Sequence, residues 1–338
     1  MKKRFIIHAA TVIAILLSAG ALPGAALEIV SQIPLPGVIG RIDHMAIDTA
    51  ANRLYVAALG NNTMEIIDLN EGKRIRSIKG FNGPRSIVFV PYDNKIYVTN
   101  AGNGDCDVFV AGEYSRIKAI RLGENTDNMR YDPAAKRLYV GYGSGAIGVV
   151  DISEDRKTGD IILGGHPEAF ELVPGSERIY INVPELRQII QADCRDFRVQ
   201  TNWQLRTEKE NYPMALDEAD RLLFVGCRKP EELLIFNTVT GIVDDKTPID
   251  GDADDIFFDA RGGRIFISCG AGYIDVVGKN SSGRYVVSEK VPTAPGARTS
   301  LYAPKTGKYF LAVPAQGGLE AKIMIYRVAQ ASEKGEVE

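Results

Sequence analysis

Short apolar segments with the same pattern recur along the whole chain at a nearly constant spacing. One copy reads Asn-Arg-Leu-Tyr-Val over residues 52–56, and another reads Lys-Arg-Leu-Tyr-Val over residues 136–140. The central aromatic residues of the seven copies are Tyr55, Tyr97, Tyr139, Tyr180, Phe224, Phe266 and Phe310. They are 42, 42, 41, 44, 42 and 44 residues apart, which is the repeat length of a four-stranded propeller blade. The pattern predicts an all-β, seven-bladed β-propeller with four antiparallel strands in each blade.

A second apolar segment precedes each copy and alternates with a period of two residues. The positions eight residues before the aromatics are Ile47, Phe89, Tyr131, Leu172, Leu216, Phe258 and Tyr302. Those ten residues before them are Met45, Ile87, Met129, Phe170, Met214, Ile256 and Ser300. Such alternation is typical of a strand with one face in a core, here the innermost strand of each blade.

The seventh copy ends at residues 324–328 and lacks a fourth strand, whereas residues 28–35 form a strand-like segment outside the seven copies. We expect this N-terminal strand to complete the last blade, because the pairing closes the ring and covers two strand edges.

The N-terminus has the pattern of a secretory signal peptide. Lys2, Lys3 and Arg4 precede an apolar run over residues 5–22 and a stretch of small residues that favours cleavage after Ala26. A retained membrane anchor is the alternative interpretation. The predicted organisation is a signal peptide over residues 1–26, a propeller over 27–329 and a polar tail over 330–338. We therefore expect a periplasmic or secreted protein with no membrane span after cleavage.

Composition and charge narrow the classes of partner. The chain has 338 residues, 34 of them glycine, and a formal charge of −3, which becomes −6 when the three basic residues of the signal peptide are removed. A mildly acidic protein lacks the clustered basic residues that nucleic-acid binding requires, so we expect no nucleic-acid partner. We expect a monomer that binds a small polar ligand or an exported protein partner.

The repeat also predicts where a site would form. Twelve residues before each aromatic the apolar alternation stops at a polar or amphipathic residue, and these seven positions are Asp43, Arg85, Asp127, Glu168, Tyr212, Asp254 and Arg298. The loops that enter the inner strands converge at one end of the central channel, which we call the channel mouth. His44, Asn128, His166 and Asp255 belong to the same loops.

Two interpretations of these residues remain open. Arg85 falls between Asp43 and Asp127 in ring order, and Arg298 falls between Asp254 and Asp43, which is the order of a structural ion-pair network. Alternatively, Asp127, Asn128 and Glu168 form an oxygen-rich metal site for Ca²⁺ or Mg²⁺. The acidic segment 252–255 is a second candidate for such an ion.

The four cysteines allow three disulfide pairings. Cys227 and Cys269 occupy equivalent positions in neighbouring blades, where the strands should lie too far apart for a disulfide, so we expect two thiols there. Cys106 and Cys194 occupy unrelated positions and are typical of buried small residues.

The segment Lys-Ile-Tyr-Val-Thr-Asn at residues 95–100, followed by Ala-Gly-Asn, resembles the YVTN-repeat β-propellers over residues 27–329. These are secreted or surface proteins, and the family includes surface-layer components and propellers encoded beside redox systems. The wider seven-bladed class contains lactonases and metal-dependent hydrolases, but no motif of this chain matches their catalytic residues.

Three functions follow as expectations. The first is an exported binding or interaction module with a polar site at the channel mouth and no catalytic activity. The second is a divalent-metal-dependent, lactonase-like hydrolase. The third, which the resemblance implies, is a non-catalytic partner of a periplasmic electron-transfer system.

Overall fold

The computed structural model describes residues 25–330, and these form seven four-stranded antiparallel sheets. The predicted signal peptide up to residue 24 and the predicted tail from residue 331 lie outside the described residues. Consecutive strands pair in chain order within each sheet, and the inner strands of neighbouring sheets contact one another around the ring. The chain is therefore a seven-bladed β-propeller, as the spacing of the aromatic residues predicts.

Blades 1 to 3 follow the N-terminal strand β1 (Leu27–Pro34). Blade 1 consists of β2 (Met45–Asp48), β3 (Arg53–Ala58), β4 (Thr63–Asp68) and β5 (Lys73–Lys79). Blade 2 consists of β6 (Pro84–Val90), β7 (Lys95–Asn100), β8 (Asp105–Val110) and β9 (Arg116–Arg121). Blade 3 consists of β10 (Met129–Asp132), β11 (Arg137–Tyr142), β12 (Ala146–Asp151) and β13 (Arg156–Ile162).

Blades 4 to 7 complete the ring. Blade 4 consists of β14 (Phe170–Leu172), β15 (Arg178–Val183), β16 (Gln188–Asp193) and β17 (Val199–Gln204). Blade 5 consists of β18 (Lys209–Asp217), β19 (Leu222–Lys229), β20 (Glu231–Asn237) and β21 (Ile242–Pro248). Blade 6 consists of β22 (Ala253–Asp259), β23 (Arg264–Cys269), β24 (Tyr273–Lys279) and β25 (Tyr285–Pro292). Blade 7 consists of β26 (Thr299–Ala303), β27 (Lys308–Val313), β28 (Lys322–Val328) and β1. Two short 3₁₀ turns, Leu59–Asn61 and Pro184–Leu186, follow β3 and β15.

The N-terminal strand closes the ring as predicted. Leu27 pairs with Val328 and Pro34 with Lys322 in an antiparallel register. Ala26 is buried, and its backbone N–H donates a hydrogen bond of 2.8 Å to the carboxylate of Glu289. This pairing joins residues almost 300 positions apart in the chain, so the last blade forms only when both ends of the propeller are present.

The repeated aromatic residues lie in the cores between blades. All seven are at most 1% exposed. Each contributes a large apolar surface whose removal from water stabilises the fold by about 1.5–3 kcal/mol. In every blade the aromatic is the third residue of the second strand, so the seven aromatics occupy equivalent positions. The scaffold is thus uniform, and the blades differ mainly in the residues at their ends.

Candidate functional site: an unevenly charged channel mouth

The inner strands enclose a central cavity of about 470 Å³ that opens at the channel mouth. Seven of the eleven candidate residues line it, namely His44, Asp127, Asn128, Glu168, Tyr212, Asp254 and Asp255. Asp43 is fully buried behind this rim, and Arg85 and Arg298 reach the rim through ion pairs. His166 lines a neighbouring cavity at the same end of the channel. The positions twelve residues before the repeated aromatics therefore lie at one end of the channel.

Backbone hydrogen bonds hold the rim residues in equivalent positions. In blades 1, 3 and 4, the N–H of the rim acid donates to a carbonyl near the end of the second strand of the same blade. The three bonds join Asp43 to Ala57, Asp127 to Gly141 and Glu168 to Asn182, at N–O distances of 2.7, 2.8 and 3.0 Å. Because the sheet fixes each backbone, the differences between blades arise from the side chains.

One part of the rim is balanced by arginines, and we call it the arginine side. It consists of Arg41, Arg228, Arg298, Asp43, Asp252 and Asp254. Arg228 contacts Asp252 at 3.1 Å and Asp254 at 2.5 Å. Arg298 contacts the same two carboxylates at 2.6 and 3.2 Å, respectively. Since three guanidinium groups face three carboxylates, this side has no net charge.

The arginine side also shows how the predicted ion-pair order differs from the observed one. Arg298 contacts Asp254 as predicted, but its second partner is Asp252 rather than Asp43. Asp43 pairs with Arg41 at 3.1 Å instead. The acidic segment 252–255, a candidate for a bound cation in the sequence, therefore already has arginine partners on Asp252 and Asp254.

The opposite part of the rim, which we call the acidic side, consists of Arg85, Asp127, His166 and Glu168. Arg85 donates a hydrogen bond of 2.5 Å to Asp127. One ligand atom from each of Asp127, His166 and Glu168 lies within 4.8 Å of the others. Among the described residues, no Lys, Arg or His nitrogen lies within 4.0 Å of the Glu168 carboxylate. One arginine thus faces two carboxylates here.

Asp127 and Glu168 share one arginine, and their pKa values shift in opposite directions. Burial, followed by the charge of Asp127, raises the pKa of Glu168 to about 7. Burial also acts to raise the pKa of Asp127, but the nearby imidazole of His166 and the charge of Arg85 outweigh it and hold that pKa below its usual value. Asp127 is therefore the ionised member of the pair, and Glu168 changes its charge near neutral pH.

A second titratable pair, His44 and Asp255, lies beside the arginine side. His44 Nδ1 is 3.7 Å from a carboxylate oxygen of Asp255, whose other oxygen accepts a 2.6 Å hydrogen bond from the Ser300 N–H. Burial raises the pKa of Asp255 to about 6. For His44, burial acts to lower the pKa, but the charges of Asp255 and Asp43 outweigh it and raise the pKa above its usual value.

The acidic side continues outward into a second cavity of about 610 Å³. Its lining includes His166, Glu168 and Tyr212 together with three further glutamates, Glu124, Glu185 and Glu210. Glu210 contacts Lys229, an exposed side chain, at 2.5 Å. Negative charge therefore extends from the rim to the surface on this side, and we call this cavity the acidic vestibule.

Arg41 and Arg228 were not among the predicted rim residues, although the repeat carries a simple signal for both. Arg41 lies fourteen residues before its aromatic, where the other blades carry Gly83, Asn125, His166, Glu210, Asp252 and Gly296. This second ring of positions lies two residues before the first one, in the same entry loops. Arg228 lies four residues after Phe224, a position where the other six copies have Leu, Ala, Gly or Pro.

Predictions made outside the rim can also be compared with the structure. Outside the rim, Arg130 pairs with Glu171 of the neighbouring blade at 3.4 Å. Cys227 and Cys269 are free thiols, as predicted, and Cys106 and Cys194 are free and buried as well. Burial raises the pKa of Cys227 to about 12 and that of Cys194 to about 11, so these thiols stay protonated at neutral pH.

The fold and the rim together define a seven-bladed β-propeller with an unevenly charged channel mouth. The chain is similar to a chain of hydrazine synthase from Kuenenia stuttgartiensis, with 17% sequence identity and a TM-score of 0.76 over 92% of this chain and 100% of that chain. It is also similar to a chain in the crystal structure of the mitotic checkpoint complex, with 13% identity and a TM-score of 0.76 over 95% of this chain and 99% of that one.

These similarities support the propeller fold. The chain matches no protein-family model and no curated protein. Within residues 25–330, no helix is long and apolar enough to cross a membrane.

Proposed function

We propose that the protein is an exported binding module that captures a small, positively charged ligand at its channel mouth. The observation that carries the proposal is the isolated, half-buried carboxylate of Glu168, on a rim where the other acids have cationic partners. A carboxylate in such surroundings is costly to ionise unless a cation approaches it.

The two cavities supply room for such a ligand. The central cavity of about 470 Å³ lies within the range typical of small-molecule sites. The acidic vestibule lies beside it and shares Glu168 and Tyr212 with it, so a cation would meet carboxylates from the surface inward. Clustered charge of one sign raises the local concentration of the opposite ion and speeds its capture.

Export is the other part of the proposal. It is supported by the basic and then apolar pattern of residues 1–26 and by the resemblance to secreted YVTN-repeat propellers. An exported protein meets small solutes outside the cytoplasm, which a rigid propeller with one open polar end is suited to bind.

A fluorescent reporter can test the ligand class. Trp203 is the single tryptophan of the chain, and it packs between Tyr180 of its own blade 4 and Phe236 of blade 5. Tyr212, in contrast, lies at the mouth. In Tyr212→Trp, choline or putrescine should change the emission in a saturable way, and citrate and glucose should not. The wild-type protein, which retains only Trp203, is the matched control. The proposal fails if choline, putrescine and ZnCl₂ all give no saturable change, or if citrate gives the largest one.

A second candidate function is metal-dependent hydrolysis of lactones or related esters, and the convergence of Asp127, His166 and Glu168 favours it. Three protein ligands leave a coordination position at which a bound water can be activated. The test is turnover of a lactone panel by zinc-loaded protein, with loss of turnover and unchanged melting temperature in Glu168→Gln. Absence of turnover in the zinc-loaded protein would leave binding as the function.

A further inference from the structure

We propose that Asp127, His166 and Glu168 bind one divalent first-row metal ion of the Zn²⁺ type. The inference builds on the proposed function, because this ion would be the cation that the mouth captures. His166 takes the place of Asn128 in the sequence-based site, and the imidazole changes the class of metal that the site prefers.

The first argument is the orientation of His166. Its Nδ1 lies 2.6 Å from the carbonyl oxygen of Gly143, and since that oxygen can only accept, Nδ1 carries the proton. In the neutral form of the ring, Nε2 is then the unprotonated nitrogen that can bind a metal. A histidine that ligates a metal usually has this arrangement, with the second nitrogen donating to a carbonyl or carboxylate.

The second argument is that Nε2 has no hydrogen-bond partner although it is buried. The His166 side chain is 13% exposed, and the closest carboxylate oxygen, on Asp127, lies 3.7 Å away, too far for a hydrogen bond. A buried polar atom without a partner is unfavourable in free energy. A metal ion between His166 and the two carboxylates would satisfy it.

The third argument is geometric. Ligand atoms around a tetrahedral Zn²⁺ lie about 2.0–2.2 Å from the ion and hence roughly 3.4 Å from one another. The three candidate atoms already lie within 4.8 Å, so side-chain shifts of about 1 Å would complete the site. Asp127 belongs to the loop entering blade 3, and His166 and Glu168 to the loop entering blade 4, so the ion would link two blades.

The donor set decides which ion is preferred. One imidazole and two carboxylates suit Zn²⁺ and its first-row neighbours, whereas Ca²⁺ and Mg²⁺ are usually held by oxygen alone. The charge of Arg85 on Asp127 makes the site less negative than two free carboxylates, which also disfavours ions that depend on charge alone. We therefore expect Zn²⁺ to bind more tightly than Ca²⁺.

Calorimetric titration of the chelator-treated full chain with ZnCl₂, MnCl₂ and CaCl₂ tests the proposal. One equivalent of Zn²⁺ should bind, with Ca²⁺ at least about 100-fold weaker. His166→Gln should weaken Zn²⁺ binding by at least about 100-fold, more than the loss of an outer-shell partner usually does. Asp252→Asn, which removes a carboxylate on the arginine side, should leave the affinity unchanged and is the matched control.

The same titration separates failure of the metal site from failure of the proposed function. No Zn²⁺ binding, equal binding of Ca²⁺, or unchanged affinity in His166→Gln overturns the metal site. If choline or putrescine nevertheless binds to the chelator-treated protein, the mouth binds organic cations instead. Circular dichroism of each variant identifies a folding defect, and in that case Co²⁺ absorption spectra of the wild-type protein decide whether a nitrogen ligand is present.

Discussion

The arginine side and the acidic side of the mouth are built mainly from equivalent positions of the loops that enter the blades, but they balance their charges differently. On the arginine side, Arg228 and Arg298 each contact both Asp252 and Asp254. On the acidic side, Arg85 contacts Asp127 alone, and Glu168 is left with a pKa of about 7. On the arginine side the arginines already balance the carboxylates, whereas on the acidic side a bound cation would stabilise the Glu168 carboxylate. The comparison separates a structural part of the rim from a binding part.

The largest effect is expected on the arginine side. Arg228→Met should destabilise the protein by about 3 kcal/mol, because it leaves Asp252 and Asp254 with fewer partners in a partly buried network. The melting temperature should then fall by several degrees. Combining Arg228→Met with Asp254→Asn should restore part of the loss, since it removes one of the carboxylates left without a partner. An unchanged melting temperature in the single variant would contradict a structural role for this side.

An intermediate effect on stability is expected from Asp255, whose cationic partner is the imidazole of His44 rather than an arginine. The pKa of Asp255 is about 6 in the folded protein, whereas its ordinary value is 3.8. Between pH 3.8 and pH 6, the folded state therefore binds more protons than the unfolded state. Stability should therefore fall as pH rises through this window. The raised pKa of His44 acts in the same direction at higher pH.

Asp255→Asn should flatten this decline, and its stability relative to wild type should improve by about 1–3 kcal/mol between pH 4 and pH 7. Urea midpoints at several pH values measure the difference. The control is Asp220→Asn, which removes an exposed carboxylate in the turn between β18 and β19, away from the rim. Parallel pH profiles of the wild-type and Asp255→Asn proteins would show that the pair does not titrate as described.

The smallest effect on stability is expected at the outer end of the acidic vestibule. Lys229 is 68% exposed and contacts Glu210, and such surface pairs contribute little to stability. Lys229→Ala should leave the melting temperature unchanged but tighten binding of putrescine about twofold, because it removes a positive charge near the vestibule. Weaker putrescine binding in this variant would place the ligand away from the acidic side.

Most of the fold could be predicted because every blade repeats the same sequence pattern. The spacing of Tyr55 and its six counterparts sets the blade number, and the unpaired segment at residues 28–35 identifies the closing strand. Observed strand ends differ slightly from prediction, as in β1, which spans Leu27–Pro34 rather than residues 28–35. Local turn geometry rather than the repeat decides such ends.

The site could be predicted only in part. The position twelve residues before each aromatic identifies the rim acids, because Asp127 and Glu168 make equivalent backbone hydrogen bonds in neighbouring blades. The partners of Arg298 could not be inferred, since a long side chain reaches residues in more than one ring. The fixed proton of His166 depends on the carbonyl of Gly143 in the preceding blade, a contact that exists only in the folded protein.

The most direct test of the account is anomalous diffraction from crystals soaked with ZnCl₂ and measured on both sides of the zinc absorption edge. The account predicts one strong anomalous peak on the acidic side, about 2.0–2.2 Å from His166 Nε2 and from carboxylate oxygens of Asp127 and Glu168. It predicts no peak among Asp43, Asp252 and Asp254, whose charges the arginines balance. A peak on the arginine side, or an empty acidic side in fully soaked crystals, would contradict it.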